Sequence, residues 1–249
     1  TSTTFPLQTP QVYDALVFGL QEYVRQNPSN GLLVGLSGGI DSALVSKIAI
    51  DAIGVENFHA VLLPSQISSS QSLQDAMDFI KLHNIKYTEI SIKKITDLVG
   101  KTLSLKKDLS KQNLQSRIRG LLLMALSNES GKMLLTTGNK SELATGYCTI
   151  YGDMNGGFNP IKDLLKTEVY ELCKDLNCFP KNMLLKPATA ELKQNQTDET
   201  SLGITYKMLD FILIRIIEES LSPAQICKEI SKESFNELLE FRSASNLPS

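Results

Sequence analysis

Residues Ser37 to Ser42, SGGIDS, combine a glycine turn with an acidic side chain, a pattern suited to binding phosphate. The glycines leave no side chains where the backbone must turn and where a ligand must approach it. Backbone N–H groups at the start of a helix then face that ligand, with the positive end of the helix dipole behind them. Asp41 adds a negative charge, and we expect a cation such as Mg²⁺ to lie between this carboxylate and a polyphosphate. For the glycine pair alone, a tight strand-to-helix turn without a ligand is the alternative.

The flanking sequence predicts the strand and the helix that such a site needs. The apolar run Leu32 to Leu36 is typical of a strand buried on both faces, and apolar residues then recur at helical spacing from Ile40 to Gly54. The loop has neither the Lys of a GxxxxGK[ST] loop nor the third glycine of a GxGxxG fingerprint. Those two classes of nucleotide site are therefore disfavoured.

Two further charged residues fall in the first turns of predicted helices. The strand Met133 to Thr137 delivers the segment TTGNKSELATGY to the same sheet edge as the SGGIDS loop, and Glu142 then falls in the first turn of a helix. From there its carboxylate could share a metal ion with Asp41, and a favourable charge at a helix N-terminus is the alternative. Lys166 begins another helix, where a positive charge opposes the dipole, so we predict that it faces a functional anion.

The alternation of apolar strands with helices predicts an α/β fold, a doubly wound, mostly parallel sheet with helices on both faces. The two arginines Arg117 and Arg119 are two residues apart on one predicted helix, so they point to different sides, and one of them is expected to face an anion. The polar segment 188–203 is either a disordered connector or a lid that folds over a substrate. Further strands are expected at 58–63 and 87–92. Helices are expected at 10–27, up to 82, 95–103, 113–127, 166–176, 206–219 and 223–232. We also expect a solvated segment at 101–111, an open loop that does not pack on itself at 152–157, and irregular chain at 180–188.

Size and composition set broad bounds. With 249 residues, 42% of them apolar, the chain can form one α/β domain over residues 1–249. A formal net charge of -2 gives no broad basic field of the kind that drives nucleic-acid binding. We find no apolar run long enough to cross a bilayer and no secretory signal, so we expect a cytoplasmic protein. The four cysteines show no CxxC pairing, which disfavours a zinc site or a disulfide framework.

In its strand–helix context, SGGIDS resembles the pyrophosphate-binding loop of the N-type ATP pyrophosphatases. The strings GNKSELATGY, YGDMNGGF, IKDLLKTEVY and ATAELKQNQTDETSLG, which follow in order, are similar to those of NAD⁺ synthetases across almost the whole chain. This resemblance implies an adenine nucleotide alpha-hydrolase-like, Rossmann-like fold and a ligase. In that family ATP adenylates the carboxylate of deamido-NAD (nicotinic acid adenine dinucleotide) and releases pyrophosphate. Ammonia then displaces AMP to give NAD⁺.

The resemblance also implies roles for individual residues. Asp41, Glu142 and Lys166 would be the catalytic residues, with Asp41 and Glu142 as the Mg²⁺ ligands. Residues expected to bind deamido-NAD are Arg117, Tyr147, Ile150, Asp153 and Gly157. Residues expected to bind the co-substrate ATP are Gly35, Leu36, Ser37, Gly38, Gly39, Ile40, Asp41, Ser42, Thr137, Lys166 and Thr189.

The chain departs from the family pattern at two positions. Many ammonia-using members have Lys in place of Ile150 and Asp in place of Gly157, and several end in a His-Lys pair that this sequence lacks. YGDMNGGF is closer to the synthetase domain of glutamine-dependent members, which carry a nitrilase-like domain ahead of it. The chain begins shortly before its glycine loop, so we expect free ammonia as the nitrogen source, with a separate glutaminase or an excised domain as the alternative.

The expected partners are deamido-NAD, ATP and ammonia, in a homodimer with the dinucleotide near the interface, without nucleic acid or membrane. Two other functions remain open. Another ATP pyrophosphatase, such as a tRNA-modifying enzyme, would need a basic surface or a catalytic cysteine pair, and the sequence displays neither. A module that senses nucleotides without turnover would not need Asp41, Glu142 and Lys166 together.

Overall fold

The computed structural model describes residues 9–193 and 197–230 and contains a four-stranded parallel sheet in the order β3-β2-β1-β4. In these residues β1 pairs with β2 and β4, and β2 also pairs with β3. The sheet confirms the predicted α/β fold with parallel strands. The strands are β1 (Leu32–Gly35), β2 (Phe58–Leu62), β3 (Tyr87–Glu89) and β4 (Met133–Leu134).

Helices precede, connect and follow these strands. Before and between the strands lie α1 (Thr9–Gln26), α2 (Ile40–Ile53), α3 (Ser70–His83), α4 (Lys93–Thr102) and α5 (Asp108–Ser130). After β4 come α6 (Lys140–Thr145), α7 (Lys166–Leu176), α8 (Lys181–Leu185), α9 (Asp198–Leu202), α10 (Tyr206–Ile217) and α11 (Pro223–Glu229).

The sheet separates two apolar layers because successive side chains of a strand point to opposite faces. Leu32 and Val34 of β1 belong to the larger core, which α1, α2, α3 and α7 cover. Leu33 of the same strand faces the smaller core under α4 and α5. This alternation accounts for the near-continuous apolar runs of the strands, which are buried on both sides.

The order of the strands creates a crevice at one edge of the sheet. From β1 the chain passes through α2 in the larger core to reach β2, whereas it arrives at β4 from α5 in the smaller core. The connections on the two sides of β1 therefore lie over opposite faces, and the carboxyl ends of β1 and β4 leave a gap between them. Parallel α/β sheets bind their ligands at such a point.

The charged segment 101–111 is mostly exposed, as predicted, but α5 begins within it at Asp108, five residues before the predicted start, with an acidic residue in its first turn. Two other local predictions were wrong. Residues 180–188 include the short helix α8, which inserts Met183 into the larger core. The loop 152–157, predicted to be too open to pack on itself, does pack on itself and on α5. The Thr149 N–H bonds the Asp153 carboxylate at 2.7 Å, and a Cβ on Gly152 would lie 2.2 Å from Ser116 Oγ.

Other boundaries differ by a few residues. The predicted strand 87–92 ends at Glu89, although the Ile90 and Ile92 N–H groups still bond the carbonyls of Leu62 and Pro64. The last predicted helix begins at Pro223, as expected, and its predicted end at 232 lies outside the described residues. Within the described ranges, no helix combines the length and the apolar character needed to cross a membrane.

The tight turn after β1 predicts a difference between two neighbouring glycines. Gly38 has a φ of +84°, and a Cβ there would lie 2.0 Å from the Ser72 carbonyl oxygen. We expect Gly38→Ala to lower the free energy of unfolding by about 2 kcal/mol or more, through backbone strain and collision with α3. Gly39 has a φ of -87°, and its Cβ would come no nearer than 3.3 Å to another heavy atom. Gly39→Ala should therefore cost less than about 1 kcal/mol in urea unfolding, and equal losses would contradict the prediction.

Candidate phosphate-binding and catalytic site

The SGGIDS loop joins the end of β1 to the start of α2 and is held by its own two serines. Ser42 Oγ donates to the Gly39 carbonyl at 2.9 Å and accepts the Ser37 N–H at 3.2 Å. Gly39 is the N-cap residue of α2 and supplies no side-chain cap. The positive end of this 14-residue helix therefore faces the crevice without a protein side chain capping it, as an anion site requires.

Asp41, in the first turn of α2, connects three helices at the crevice. One carboxylate oxygen accepts a hydrogen bond from the Lys166 ammonium, at the start of α7. The other accepts the Asn139 side-chain amide at 3.2 Å, from the N-cap of α6. The anion that faces Lys166 in this structure is thus Asp41, an aspartate that the sequence had placed in the same site for a different reason.

Lys166 is a buried cation, only 2% exposed. Burial alone would favour the neutral amine, but the carboxylates of Asp41 and Glu142 outweigh it and raise the pKa of Lys166. The rings of Tyr170 and Tyr206 lie 5.5 and 5.7 Å from its nitrogen, within the range of cation–π attraction. Lys166 therefore keeps a full positive charge, fixed in place, at the mouth of the SGGIDS loop.

Glu142 forms a capping box with Asn139 at the start of α6. The Glu142 carboxylate accepts the Asn139 N–H at 3.1 Å, and the Asn139 side-chain oxygen accepts the Glu142 N–H at 3.0 Å. The role of a stabilising charge at a helix N-terminus is therefore present, and the same carboxylate also lines the cavity. Burial first, and then the nearby charge of Asp41, raise the pKa of Glu142 to about 8.

A cavity of about 510 Å³ opens at the carboxyl edge of the sheet and brings most of the predicted residues together. It extends from the SGGIDS loop past the ends of β2 and β4 to the segment after α6. The predicted residues that line it are Gly35, Leu36, Ser37, Gly38, Gly39, Ile40, Asp41, Ser42, Thr137, Glu142, Tyr147, Asp153, Gly157, Lys166 and Thr189.

Arg117 and Ile150 lie outside this cavity, on an exposed surface beside it. The Arg117 guanidinium donates to the Ile150 carbonyl at 3.2 Å, so these two predicted residues are neighbours. Arg119 is the arginine that lines the cavity, and it donates to the Leu63 carbonyl at the end of β2 at 3.1 Å. Burial lowers the pKa of Arg119, and the charge of Glu191 partly offsets this. The sequence predicts that one arginine of the pair faces an anion, and Arg119 is the one that lines the cavity.

The segment predicted as a connector or lid lies along the cavity wherever the structure describes it. Residues 187–192 line the cavity, and the Glu191 carboxylate accepts from Ser69 Oγ at 2.8 Å and faces Lys186 Nζ at 3.5 Å. The Ala190 N–H bonds the buried Asp198 carboxylate at 3.0 Å, across residues 194–196, which lie outside the described residues. The described parts of this segment are therefore attached to the body of the protein.

Several residues of the site were not predicted from the sequence. Asn139 stands two positions after the predicted Thr137, and its spacing of three residues before Glu142, typical of a capping box, was the available signal. Asp198 lines the cavity, although it is only 3% exposed, and its carboxylate accepts a hydrogen bond from the Tyr206 hydroxyl at 3.3 Å. Burial raises the pKa of Asp198. Nothing in the spacing of Tyr170 and Tyr206 indicates that their rings flank Lys166.

Comparison with known proteins agrees with this geometry. The profile of the NAD synthase family matches residues 12–247. A glutamine-dependent NAD(+) synthetase of Rhodobacter capsulatus is 46% identical over 239 residues, which cover 89% of this chain and 43% of that protein. Like its other curated relatives of that name, it is more than twice as long as the part that this chain spans.

Two solved structures extend the similarity. An NMN synthetase from Francisella tularensis has a TM-score of 0.80 at 30% identity, covering 96% of this chain and 94% of that one. An NH3-dependent NAD synthetase from Campylobacter jejuni has a TM-score of 0.71 at 32% identity, covering 98% and 99%. By fold, site and sequence, this chain belongs to the NAD synthase family.

Proposed function

We propose that this chain amidates deamido-NAD to NAD⁺, using ATP to activate the carboxylate and ammonia as the nucleophile. The observation that carries the proposal is the meeting of Asp41, Glu142 and Lys166 beside the SGGIDS loop in one cavity. An uncapped helix N-terminus, a buried cation and two carboxylates together suit a polyphosphate that loses pyrophosphate. A site that only bound nucleotide would not need this combination.

Adenylation explains why the reaction needs ATP. A carboxylate reacts poorly with ammonia because its leaving group would be oxide, and transfer of the adenylyl group gives it AMP as a leaving group. Negative charge gathers on the departing pyrophosphate in that step. The α2 backbone N–H groups and the Lys166 ammonium are positioned to stabilise this charge in a site where Lys166 itself is shielded from water.

Mg²⁺ fits the residues at the mouth of the loop. Among the described residues no cluster of three or more His, Cys, Asp or Glu side chains could hold a metal alone. Mg²⁺ is commonly held by one or two carboxylates together with substrate phosphates, so Asp41 and Glu142 would suffice beside ATP. The bound ion would neutralise charge on the phosphate oxygens.

The dinucleotide is proposed to extend from the cavity towards a second copy of the chain. Tyr147, Asp153 and Gly157 line the cavity, whereas Arg117 and Ile150 lie on the surface next to it. That surface belongs to the α4–α5 layer, which also exposes large apolar side chains. These are Leu98, Leu103, Leu109, Leu121 and Met124. We infer a homodimer through this layer, with Arg117 and Ile150 contacting the part of deamido-NAD near the interface.

The source of ammonia is better supported as glutamine than as free ammonium. The curated relatives quoted above are named glutamine-dependent and share 44–46% of their residues with this chain, against 32% for the NH3-dependent structure. This agrees with the YGDMNGGF version of the loop. The expectation of free ammonia rested on where the chain begins, and the similarity favours the alternative, a synthetase part of a glutamine-dependent system. In both cases ammonia reacts at the site described above.

A second candidate substrate comes from the NMN synthetase of Francisella tularensis, whose TM-score exceeds that of the Campylobacter enzyme. An amidation that yields NMN would start from nicotinate mononucleotide, which carries the same reacting carboxylate without the adenylate half. Both acids would place that carboxylate beside the same three charged residues. A direct comparison of the two substrates distinguishes them.

The central prediction concerns products and one aspartate. With Mg²⁺, ATP, deamido-NAD and ammonium, the chain should form NAD⁺, AMP and pyrophosphate in equal amounts. Formation of ADP would reject adenylation, and faster use of nicotinate mononucleotide would favour the second candidate. Asp41→Asn should lower kcat by about 100-fold or more, because it removes a carboxylate at the reacting phosphates.

A second α2 aspartate provides the control for this variant. Asp51 also pairs with a lysine, Lys47, and accepts the Tyr13 hydroxyl at 2.7 Å, but it does not line the cavity. Asp51→Asn should reduce thermal stability while leaving kcat within about twofold of the parent protein. If Asp41→Asn lost stability and activity in the same proportion as Asp51→Asn, the Asp41 carboxylate would be structural.

Glu142 predicts an unusual dependence of stability on pH. Its pKa of about 8 in the folded protein lies above its ordinary value of 4.5. Between pH 4.5 and pH 8 the folded state therefore holds a proton that the unfolded state has lost. Stability contributed by this proton is therefore lost as pH rises from 4.5 to 8. In EDTA, Glu142→Gln should become more stable than the parent protein by roughly 1–2 kcal/mol at pH 9, less than the full shift implies because the side chain is partly solvated.

Glu168→Gln provides the matched control, because the carboxylate of the exposed Glu168 likewise accepts the N–H of an N-cap residue, Leu165, at the start of α7. Urea unfolding between pH 5 and 9 should leave this variant parallel to the parent. Addition of Mg²⁺ and ATP should remove the advantage of Glu142→Gln, since a cation favours the charged carboxylate. An advantage independent of pH would show that the charge of Glu142 is not the cause.

The proposed dimer is tested on α5, within the exposed apolar layer. Leu121 is 64% exposed on α5, and Leu121→Glu should convert a dimer to a monomer in sedimentation velocity because it would bury two carboxylates in an apolar contact. Phe18→Glu, on α1 of the opposite layer and 62% exposed, is the control and should remain dimeric. A monomeric parent protein at micromolar concentration, or dissociation by Phe18→Glu alone, would contradict this interface.

A further inference from the structure

The helix that begins with Lys166 lacks a cap of its own. Its N-cap residue is Leu165, which has no side-chain oxygen, and the first N–H groups of any helix need partners from outside it. Glu168 satisfies the N–H of Leu165 itself, at 2.7 Å. The N–H groups of Lys166 and Thr167 are satisfied from other helices.

Ser141 and Asp210 supply those two partners. Ser141 Oγ, on α6, accepts the Lys166 N–H at 2.9 Å, and one oxygen of Asp210, on α10, accepts the Thr167 N–H at 2.8 Å. The other Asp210 oxygen accepts the Ser141 hydroxyl at 2.5 Å. Ser141 is 0% and Asp210 is 2% exposed, so water does not compete for these bonds.

This chain of bonds links the backbone positions of two proposed catalytic residues. Ser141 directly precedes Glu142 on α6, and Asp210 bonds the residue directly after Lys166. The negative charge of Asp210 also lies at the positive end of α7, where it is stabilising. α10 contributes a further contact to the same group, because the Tyr206 ring lies 5.7 Å from the Lys166 nitrogen.

We propose that Asp210 is a positioning residue, which acts as a cap supplied by α10 and holds Lys166 and Glu142 at their separation across the ATP-binding mouth. It touches no reacting atom, since it does not line the cavity. Its effect on turnover passes through the backbone of Lys166 and through Ser141. The inference rests on the proposed amidation for its kinetic test and is independent of it for its structural test.

Asp210→Asn is the sharpest variant, because it keeps the volume and one acceptor oxygen but replaces the other with an NH₂ donor. That donor faces either the Thr167 N–H, which cannot accept it, or the Ser141 hydroxyl, which would have to turn from donor to acceptor, and in both cases the negative charge at the start of α7 is lost. We expect a fall of roughly 10- to 100-fold in kcat for deamido-NAD-dependent exchange of pyrophosphate into ATP, the size typical of a small misplacement of a catalytic group. The KM for deamido-NAD should change by less than about twofold. A fall confined to KM, or none, would overturn the proposal.

A double-mutant cycle separates positioning from general loss of structure. If Asp210 acts through Lys166, Asp210→Asn should have less than about a twofold further effect on kcat in a Lys166→Gln background. If the reductions in kcat caused by Asp210→Asn and by Lys166→Gln multiplied in the double variant, the proposal would be overturned. Asp163→Asn, an exposed aspartate just before α7, removes the same charge and should leave kcat unchanged.

Ser141→Ala provides a second route if Asp210→Asn does not fold, because it removes the acceptor of the Lys166 N–H and should reproduce the kinetic fall. A crystal structure of either variant gives the readout that does not depend on the reaction. The Lys166 ammonium should move away from Asp41, and an unmoved ammonium would overturn the positioning role. If the parent protein made no NAD⁺, the proposed function would fail, and the crystal structure would still decide whether Asp210 positions Lys166.

Discussion

The structure of the site depends on the ion pair between Asp41 and Lys166. A lysine that is 2% exposed would be costly to bury as a cation without a partner, and Asp41 supplies that partner from another helix. The pair fixes the start of α7 against the start of α2, and Asn139 adds the start of α6 through the second oxygen of Asp41. Three helix N-termini are thereby brought to one point at the edge of the sheet. Such a concentration of positive helix ends favours bound anions.

The fold makes this convergence possible through the order of its strands. β1 is an inner strand of the sheet, and the chain on its two sides crosses opposite faces, so the carboxyl ends of β1 and β4 border a crevice. The helices that begin shortly after these two strands, α2 and α6, carry Asp41 and Glu142 in their first turns. Both carboxylates therefore reach the crevice from a rigid strand by a short connection. This is a more precise support for a site than a long loop would give.

The sequence predicts those features whose physical cause is local. Glycines before a helical pattern, an acidic residue in a first turn and a lysine at an unfavourable helix start predict Asp41, Glu142 and Lys166 as site residues, and the structure places all three in one cavity. Alternating strands and helices gave the fold class for the same reason, since burial on both faces leaves a continuous apolar run. The family resemblance added the proposed substrate, which no local pattern contains.

Features that depend on distant contacts could not be read from the sequence in the same way. The early start of α5 and the helix α8 follow from packing on the rest of the protein, and periodicity in a charged or proline-containing segment gives little sign of either. Arg117 and Arg119 are equivalent as a sequence pattern, and only the orientation of α5 assigns one to the cavity and the other to the surface. Asp210 had no signal because its partners lie on two other helices.

The ion pair also imposes a constraint on catalysis. Asp41 pairs with Lys166 in this structure, yet the proposed reaction requires Asp41 to face a cation and Lys166 to face phosphate oxygens. Both partners must therefore be exchanged when Mg²⁺ and ATP enter. An exchange of this kind costs little only if neither side chain has to travel far. The rings of Tyr170 and Tyr206, and the caps that fix the start of α7, hold Lys166 beside Asp41 at the edge of the cavity that is proposed to bind ATP. Rigidity at this point thus serves the exchange of partners, because it keeps the ammonium between its protein partner and its proposed substrate partner.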